Sequence, residues 1–440
     1  MTKNLKLTLI ALFLLQILIS SGFELAHDEA YYWLYSRHLD WGYFDHPPFV
    51  AIVIRFFSFL PQSEFAVRIG FIILQFASLF LLLSLTGFQF VSLLLFFSFP
   101  LASVTGLLAL PDIPLLFMTA SYCYFLKKYL EKDSARLAVL LGLNIALLFY
   151  AKYHGVLLVF FTIIAVPKVL KRKSFYLVTL IAVLAFMPHL FWQHQHEYST
   201  LRYHFIDRPS SSFSLKRTLE YIGLQIFLAG FLIGPVVWWI ILKKKVTSDF
   251  DRAMKFISIG TVLFFLFSSF AKKVEANWTI FLAIPMIYLI SGSMELKKLW
   301  NKRLLYCSFI IIVLVRVLFV LPESIVNIKR INEFKGWKVW SKEIQRDCEG
   351  KPLLANSYQI ASKLSYYLNT EIGALNYHSR KNQFDFWRFE QNLPTKEICY
   401  VTDKRDFEGK QITSPDGKSL RVVKNQSIEA LLKLKYKTKR

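Results

Sequence analysis

Apolar runs of about 16–22 residues recur along the first three quarters of the chain, each close to the ~20 residues that cross a bilayer core. A backbone in hydrocarbon must satisfy its own hydrogen bonds, so runs of this kind fold as helices. They fall at roughly 7–24, 64–85, 88–107, 113–127, 136–150, 154–170, 175–192, 222–242, 254–271, 278–294 and 304–321. The expected fold class is an all-α polytopic membrane protein with about 11 transmembrane helices. With 55% hydrophobic residues among 440 and a mean hydropathy of +0.40, the chain is too apolar for a soluble protein of its length.

A net charge of +23 suggests nucleic acid, but its distribution excludes that partner. Lys127-Lys128, Lys168 with Lys171-Arg172-Lys173, Lys243-Lys244-Lys245, and Lys297-Lys298 with Lys302-Arg303 all sit between apolar runs. This is the positive-inside pattern. Lys3 and Lys6 precede a run with no small-residue cleavage site after it, so it is expected to stay as the first span. Threading from an inside N-terminus places 25–63, 193–221 and 322–440 outside. All nine histidines then lie at or near the outer face. Segment 49–60 is too short to span and is expected to lie in the interface within the first outer loop. Two domains are expected: a membrane domain over 1–321 and a small extracytoplasmic α/β domain over 322–440. The latter holds Cys348 and Cys399, which an oxidising compartment would allow to pair, and a basic tail suited to anionic lipid.

Residues 27–48, HDEAYYWLYSRHLDWGYFDHPP, are the densest polar stretch. Asp28 and Glu29 at the outer end of a membrane helix are costly unless hydrated, paired or functional. A carboxylate there can serve as general base or metal ligand. Pro47-Pro48 fixes the backbone behind Asp45 and His46, which can hold a phosphate or a divalent cation. Asp112, between Pro111 and Pro114, is a further outer-face carboxylate, or a plain hairpin turn. Lys152, Arg208, Lys272 and Lys273 break the positive-inside expectation; they either snorkel or face an anionic leaving group. His194, His196 and Glu197 offer a weak zinc spacing, and sugar binding by the aromatic loop 191–208 is the stronger expectation. There is no Walker A, GxGxxG or CxxC motif, so an activated substrate rather than bound ATP is expected to supply the energy.

DEAYYW, YFDHPP, SEFAVR and LPDIPLLF, in this order after a first membrane helix, resemble the GT-C fold glycosyltransferases that use polyprenyl-phosphate sugars. The resemblance is to the branch grouping bacterial relatives of protein O-mannosyltransferases with aminoarabinose and galacturonic acid transferases. It runs from about residue 20 to 290, with AKY (151–153), the FWQHQHEYSTLRYHF loop and EANW (275–278); SRKNQFDFW (379–387) adds a C-terminal likeness. It implies Asp28 as catalytic base, accompanied by Glu29 and Asp112. It implies donor or phosphate binding by Tyr32, Asp45, His46, Lys152, Tyr153, Arg208 and Lys273. It implies acceptor or sugar binding by Trp192, His194, Asn277, Trp278 and Arg380. The aminoarabinose branch has lysine where His46 stands and arginine where Tyr31 stands, which shifts the cation duty toward Lys152, Arg208 and Lys273.

The implied reaction moves one sugar from a polyprenyl-phosphate donor to a glycolipid, glycan or protein acceptor at the outer leaflet of a bacterial inner membrane, inverting at the anomeric carbon. No cofactor is required by this reading, and a divalent cation is left open. The competing expectation is a transporter or flippase of a lipid-linked sugar. Neither repeated halves nor Gly/Pro-broken helices at midplane are evident in the sequence to favour it.

Overall fold

The computed structural model describes all residues except 204–211, 323–324, 326–327, 329–330, 394–396 and 438–440. Every expected span has a helical counterpart. Helices α1 (Lys3–Ser21), α2 (His27–Arg37), α3 (Phe49–Phe56) and α4 (Glu64–Leu85) come first. They are followed by α5 (Phe90–Ser98), α6 (Pro100–Val104), α7 (Asp112–Glu131), α8 (Ala135–Ala151), α9 (Val156–Ala165) and α10 (Lys173–Gln195). After the short α11 (Ser199–Arg202) come α12 (Leu215–Leu228), α13 (Gly234–Lys243), α14 (Asp249–Ala271), α15 (Ala283–Ile290) and α16 (Leu299–Val317). Among the described residues, α1, α4, α10 and α14 are individually long and apolar enough to cross a membrane. Serines accept the first-turn amides of α4, α8, α12 and α14, closing ends that would otherwise leave open N–H groups.

Two expected spans are broken. The run 88–107 bends by 90° between α5 and α6. Pro100 removes an amide donor and holds Phe99 extended, at ψ 110°, so one straight helix is impossible there. The run 222–242 breaks between α12 and α13, where Gly230 adopts φ +123°, a conformation open to glycine. Neither segment is therefore the single unbroken helix that its hydropathy suggests. Side chains take up carbonyls freed at the first break. Gln75 donates to Ala102 O, and Gln16 donates to Gly106 O at 2.6 Å and to Gln75 at 2.5 Å. Arg316 of α16 donates to Gln16 at 2.5 Å. Such re-satisfaction is what permits irregular backbone inside a bundle.

The C-terminal part carries α17 (Trp337–Asp347), α18 (Tyr358–Leu368), α19 (Phe384–Trp387) and α20 (Ile428–Lys437) around a five-stranded sheet. The strands are β1 (Leu353–Ala355), β2 (Gly373–Ala374), β3 (Glu397–Thr402), β4 (Lys410–Thr413) and β5 (Ser419–Ser427), in the order β2-β1-β3-β5-β4. Strand β1 runs parallel to both neighbours, with Leu354 opposite Gly373 and Tyr400. Its link to β2 passes through α18, as a parallel pair requires a crossover. Strand β5 returns antiparallel to β3 and β4.

Cys348, just past α17, is disulfide-bonded to Cys399 on β3, with Cα atoms 5.6 Å apart and a sequence separation of 51. Closing a loop of this length restricts the unfolded chain by about 4 kcal/mol. Replacing both cysteines with alanine is expected to lower local stability of the 337–437 region by up to about that amount. Hydrogen exchange of β1 and β3 would register it, and unchanged protection would mean that the disulfide does not stabilise this region.

This C-terminal part is clamped onto the end of α1 and the first loop. Glu24 accepts the Trp337 and Lys338 amides at 2.5 and 3.2 Å, capping α17. Glu333 accepts the His27 amide at 2.9 Å. Buried Lys363 donates to Leu25 O and Glu333 O. Gln383 accepts the Phe44 amide at 2.8 Å, and its own amide donates to Tyr31 Oη at 2.8 Å.

Candidate active site

Asp28 and Glu29 open α2, and helical geometry separates them. Consecutive residues point about 100° apart, so one faces inward and the other outward. Glu29 is wholly buried. Its Oε1 accepts Arg68 Nε at 2.7 Å and the Ala109 amide at 2.8 Å; its Oε2 accepts Arg68 Nη2 at 2.6 Å and the Ala26 amide at 2.8 Å. Arg68 spends its remaining donors on Ser20 O, Phe23 O and Glu24 O. Its guanidinium also lies 4.0 Å from the Phe23 ring centroid. Both partners are saturated, so the expected catalytic role of Glu29 is replaced by a structural one. It ties α2 to α1, to α4 and to the segment entering α7.

Asp28 faces an open recess. It is exposed to solvent, and among the described residues no hydrogen bond or ion pair engages its carboxylate. The protein around the recess nevertheless thins the water about the carboxylate and pushes its pKa up to about 6, chiefly by this desolvation. The negative charges of Glu333, Asp45 and Asp112 act in the same direction, and Arg380 opposes them. Tyr32, one turn on, is buried beside this charge, which helps hold its hydroxyl protonated.

Two cation–carboxylate pairs flank Asp28. Asp45 accepts Tyr31 Oη at 3.0 Å and Tyr35 Oη at 3.5 Å on one oxygen, and Arg380 Nη1 at 2.9 Å on the other. Arg380 lies over the rings of Tyr203 (5.1 Å) and Tyr358 (5.6 Å). Asp112, in the first turn of α7, accepts Lys152 Nζ at 2.9 Å and Asn277 Nδ2 at 3.2 Å. Lys152 is buried at the C-cap of α8 in an extended conformation. Asn277 belongs to the 3₁₀ segment Ala276–Leu282 that leads into α15. The structure thus brings together Asp28 and Asp45 from the first loop, Asp112 from α7, Lys152 from the end of α8, Asn277 from the 276–282 segment and Arg380 from the C-terminal part.

Other expected members are placed differently. His46 packs edge-on against Tyr32, 5.7 Å between centroids. Tyr153 Oη bonds His189 Nε2 at 2.7 Å and receives Gln193 Nε2 at 2.8 Å, a buried network supporting α10. Trp192 donates to Asp40 at 2.8 Å and stacks on His196. A Cβ on Gly42 would lie 2.4 Å from the Trp192 ring, so only glycine lets the first loop pass there. Trp192 therefore orders this loop and is too buried for direct sugar stacking. His194 is exposed and pairs with Tyr198, away from its expected sugar contact. Trp278 packs against His154 and Phe265. Lys273 is well exposed and pairs with Glu275 at 3.3 Å, so it does not supply the expected buried cation. Arg208 lies outside the described residues.

No group of three or more His, Cys, Asp or Glu is placed to hold a metal among the described residues. Asp45 and Asp112 are each occupied by a cation of the chain, and His194 and His196 bond separate partners. Among the described residues the divalent-cation reading therefore finds no donor set. Sequence reasoning did not pick out Arg68, Tyr358 or Glu333. Arg68 could have been found as a charge inside an apolar span that needs a partner.

Residues 45–192 match the family model described as dolichyl-phosphate-mannose-protein mannosyltransferase. The lipid A galacturonosyltransferase RgtD of Rhizobium johnstonii is 26% identical over 288 residues, a match spanning 60% of this chain and 60% of that relative's length. The crystal structure of ArnT from Cupriavidus metallidurans bound to undecaprenyl phosphate superposes with a TM-score of 0.69 at 13% identity, covering 96% of this chain and 98% of that one. The apo state gives 0.68 at 14%, covering 94% and 97%. The chain has the GT-C fold and resembles, in fold and over much of its sequence, the glycosyltransferases that use polyprenyl-phosphate sugars.

Proposed function

We propose that this chain is an integral membrane glycosyltransferase that moves one sugar from a polyprenyl phosphate to an acceptor hydroxyl, lipid A being the acceptor its similarity to RgtD favours. Asp28 is the base. It takes the acceptor proton as the hydroxyl oxygen attacks the anomeric carbon, while the bond from that carbon to the phosphate oxygen breaks. Direct displacement inverts the anomeric centre, and the polyprenyl phosphate leaves with added negative charge. Arg380 and Lys152, the cations paired on either side of Asp28, stabilise that charge and count most in the transition state. Asp45 and Asp112 hold them in place.

The observation that carries this reading is the one unengaged carboxylate, set between two cation–carboxylate pairs, with its pKa raised toward neutrality. A base poised near the working pH is the efficient arrangement. The disulfide, the cytoplasmic-type basic clusters and the counterparts of the eleven apolar runs support a multi-pass inner-membrane placement with site and C-terminal domain outside.

Purified protein in nanodiscs, given a panel of polyprenyl-phosphate sugars and envelope acceptor, should move sugar from lipid to acceptor. Sugar that crosses the bilayer still joined to its lipid would identify a transporter instead. A second consequence concerns Arg380, whose charge lowers the Asp28 pKa. Arg380→Gln should move the acid limb of the pH–rate profile upward from about 6. A limb that stays in place or moves down would separate Arg380 from Asp28.

A further inference from the structure

Beside Arg380 lies a cavity of about 250 Å³ lined by Ser357, Tyr358, Gln359, Asn376, Ser379, Arg380 and Asn382. This is just below the ~300–1,000 Å³ of drug-sized ligand pockets, which suits a single sugar ring. Its wall is built from hydroxyls, amides and one guanidinium, with no carboxylate. Asn376 and Asn382 bond each other reciprocally at 3.1 and 2.9 Å, and Asp385 accepts from both behind them. That side of the cavity is rigid before anything binds. Gln359, by contrast, presents an amide that no group engages among the described residues. The cavity adjoins the reacting centre: Tyr358 and Arg380 both interact electrostatically with Asp28.

We propose that this cavity seats a sugar bearing an oxyanion, with the anion on Arg380 and the ring hydroxyls on Gln359 and the Ser379 side. The inference rests on the transferase reading. Arg380 is a planar fork with five N–H donors, of which Asp45 accepts one through Nη1 and the Tyr358 hydroxyl engages another. Asp45 thereby sets the plane of the fork, and an oxyanion can take the donors that face the cavity. The cavity wall also includes the first turn of α18, whose dipole adds to the same preference. An amino sugar would find no carboxylate on this wall to receive its charge. Two sources fit this chemistry: the carboxylate of a transferred uronic acid, or a phosphate on the acceptor sugar.

The test is kcat/KM for four substrate pairs: a hexuronate or a neutral hexose on polyprenyl phosphate, each with glycolipid acceptor before and after phosphatase treatment. Wild type should favour the pair carrying the relevant oxyanion. Arg380→Gln, whose loss at the leaving phosphate falls on all four pairs alike, should lose a further factor of about 10 to 100 on that pair relative to its uncharged counterpart. A preference that follows the donor identifies the carboxylate; one that follows the acceptor identifies the phosphate. Gln359→Ala, which leaves Asp45 and Asp28 untouched, should raise KM for the same pair more than it lowers kcat. Equal losses on all four pairs, or a wild type indifferent to charge, would overturn the inference while leaving the transferase reading intact. Transfer of no sugar by wild type would overturn both.

Discussion

Asp28→Asn is expected to lower turnover by about 10²–10⁴-fold, the range for loss of a general base, while the protein stays at least as stable as wild type. The two halves of this result have one cause. No group among the described residues neutralises Asp28, and desolvation with three nearby carboxylates raises its pKa to about 6. A carboxylate whose folded pKa exceeds its unfolded value costs stability when ionised, at any pH above the unfolded value. Asparagine keeps the shape and removes that cost at neutral pH, yet cannot accept a proton. Turnover measured beside thermal unfolding in the same detergent checks both halves. A variant that is inactive because it melts early would assign Asp28 a structural role.

Glu29→Gln should do the opposite and act first on folding. Arg68 would keep its charge, fully buried, without its counterion. Removing one partner of a buried pair typically costs about 3–5 kcal/mol, and here the loss also loosens Ala26 and Ala109, which bond the same carboxylate. Arg68→Met alone should be similarly damaging, because it strands Glu29. The double variant Glu29→Gln with Arg68→Met should recover part of the loss, since neither charge remains buried alone. Thermal unfolding of the three variants is the check. Single variants that melt like wild type would mean that the pair does not hold α2 to the bundle.

Neighbouring acids with contrary fates show where the sequence stops being legible. Period and hydropathy marked the helices, and the polar stretch 27–48 marked the candidate site. The Asp28-Glu29 pair stood out, but which member stays unengaged depends on the phase of α2 and on Arg68, 39 residues away from Glu29. The partner of Asp45 lies 335 residues further on, beyond what spacing can reveal. Hydropathy read 88–107 as one span because apolarity continues through the bend, although Phe99-Pro100 carried the local signal for a break. Lys273 and His194 looked like site residues by type. Their exposure and local partners, Glu275 and Tyr198, place them otherwise.

The rate of sugar transfer from polyprenyl phosphate, followed with purified wild-type protein from about pH 5 to pH 8, tests the central claim most directly, since that range brackets a group titrating near neutrality. Acceptor-bound sugar is expected, with a rate that falls on the acid side with an apparent pKa of about 6, as Asp28 takes up a proton. Absence of transfer with every donor, or a rate unchanged across that acid limb, would contradict the claim.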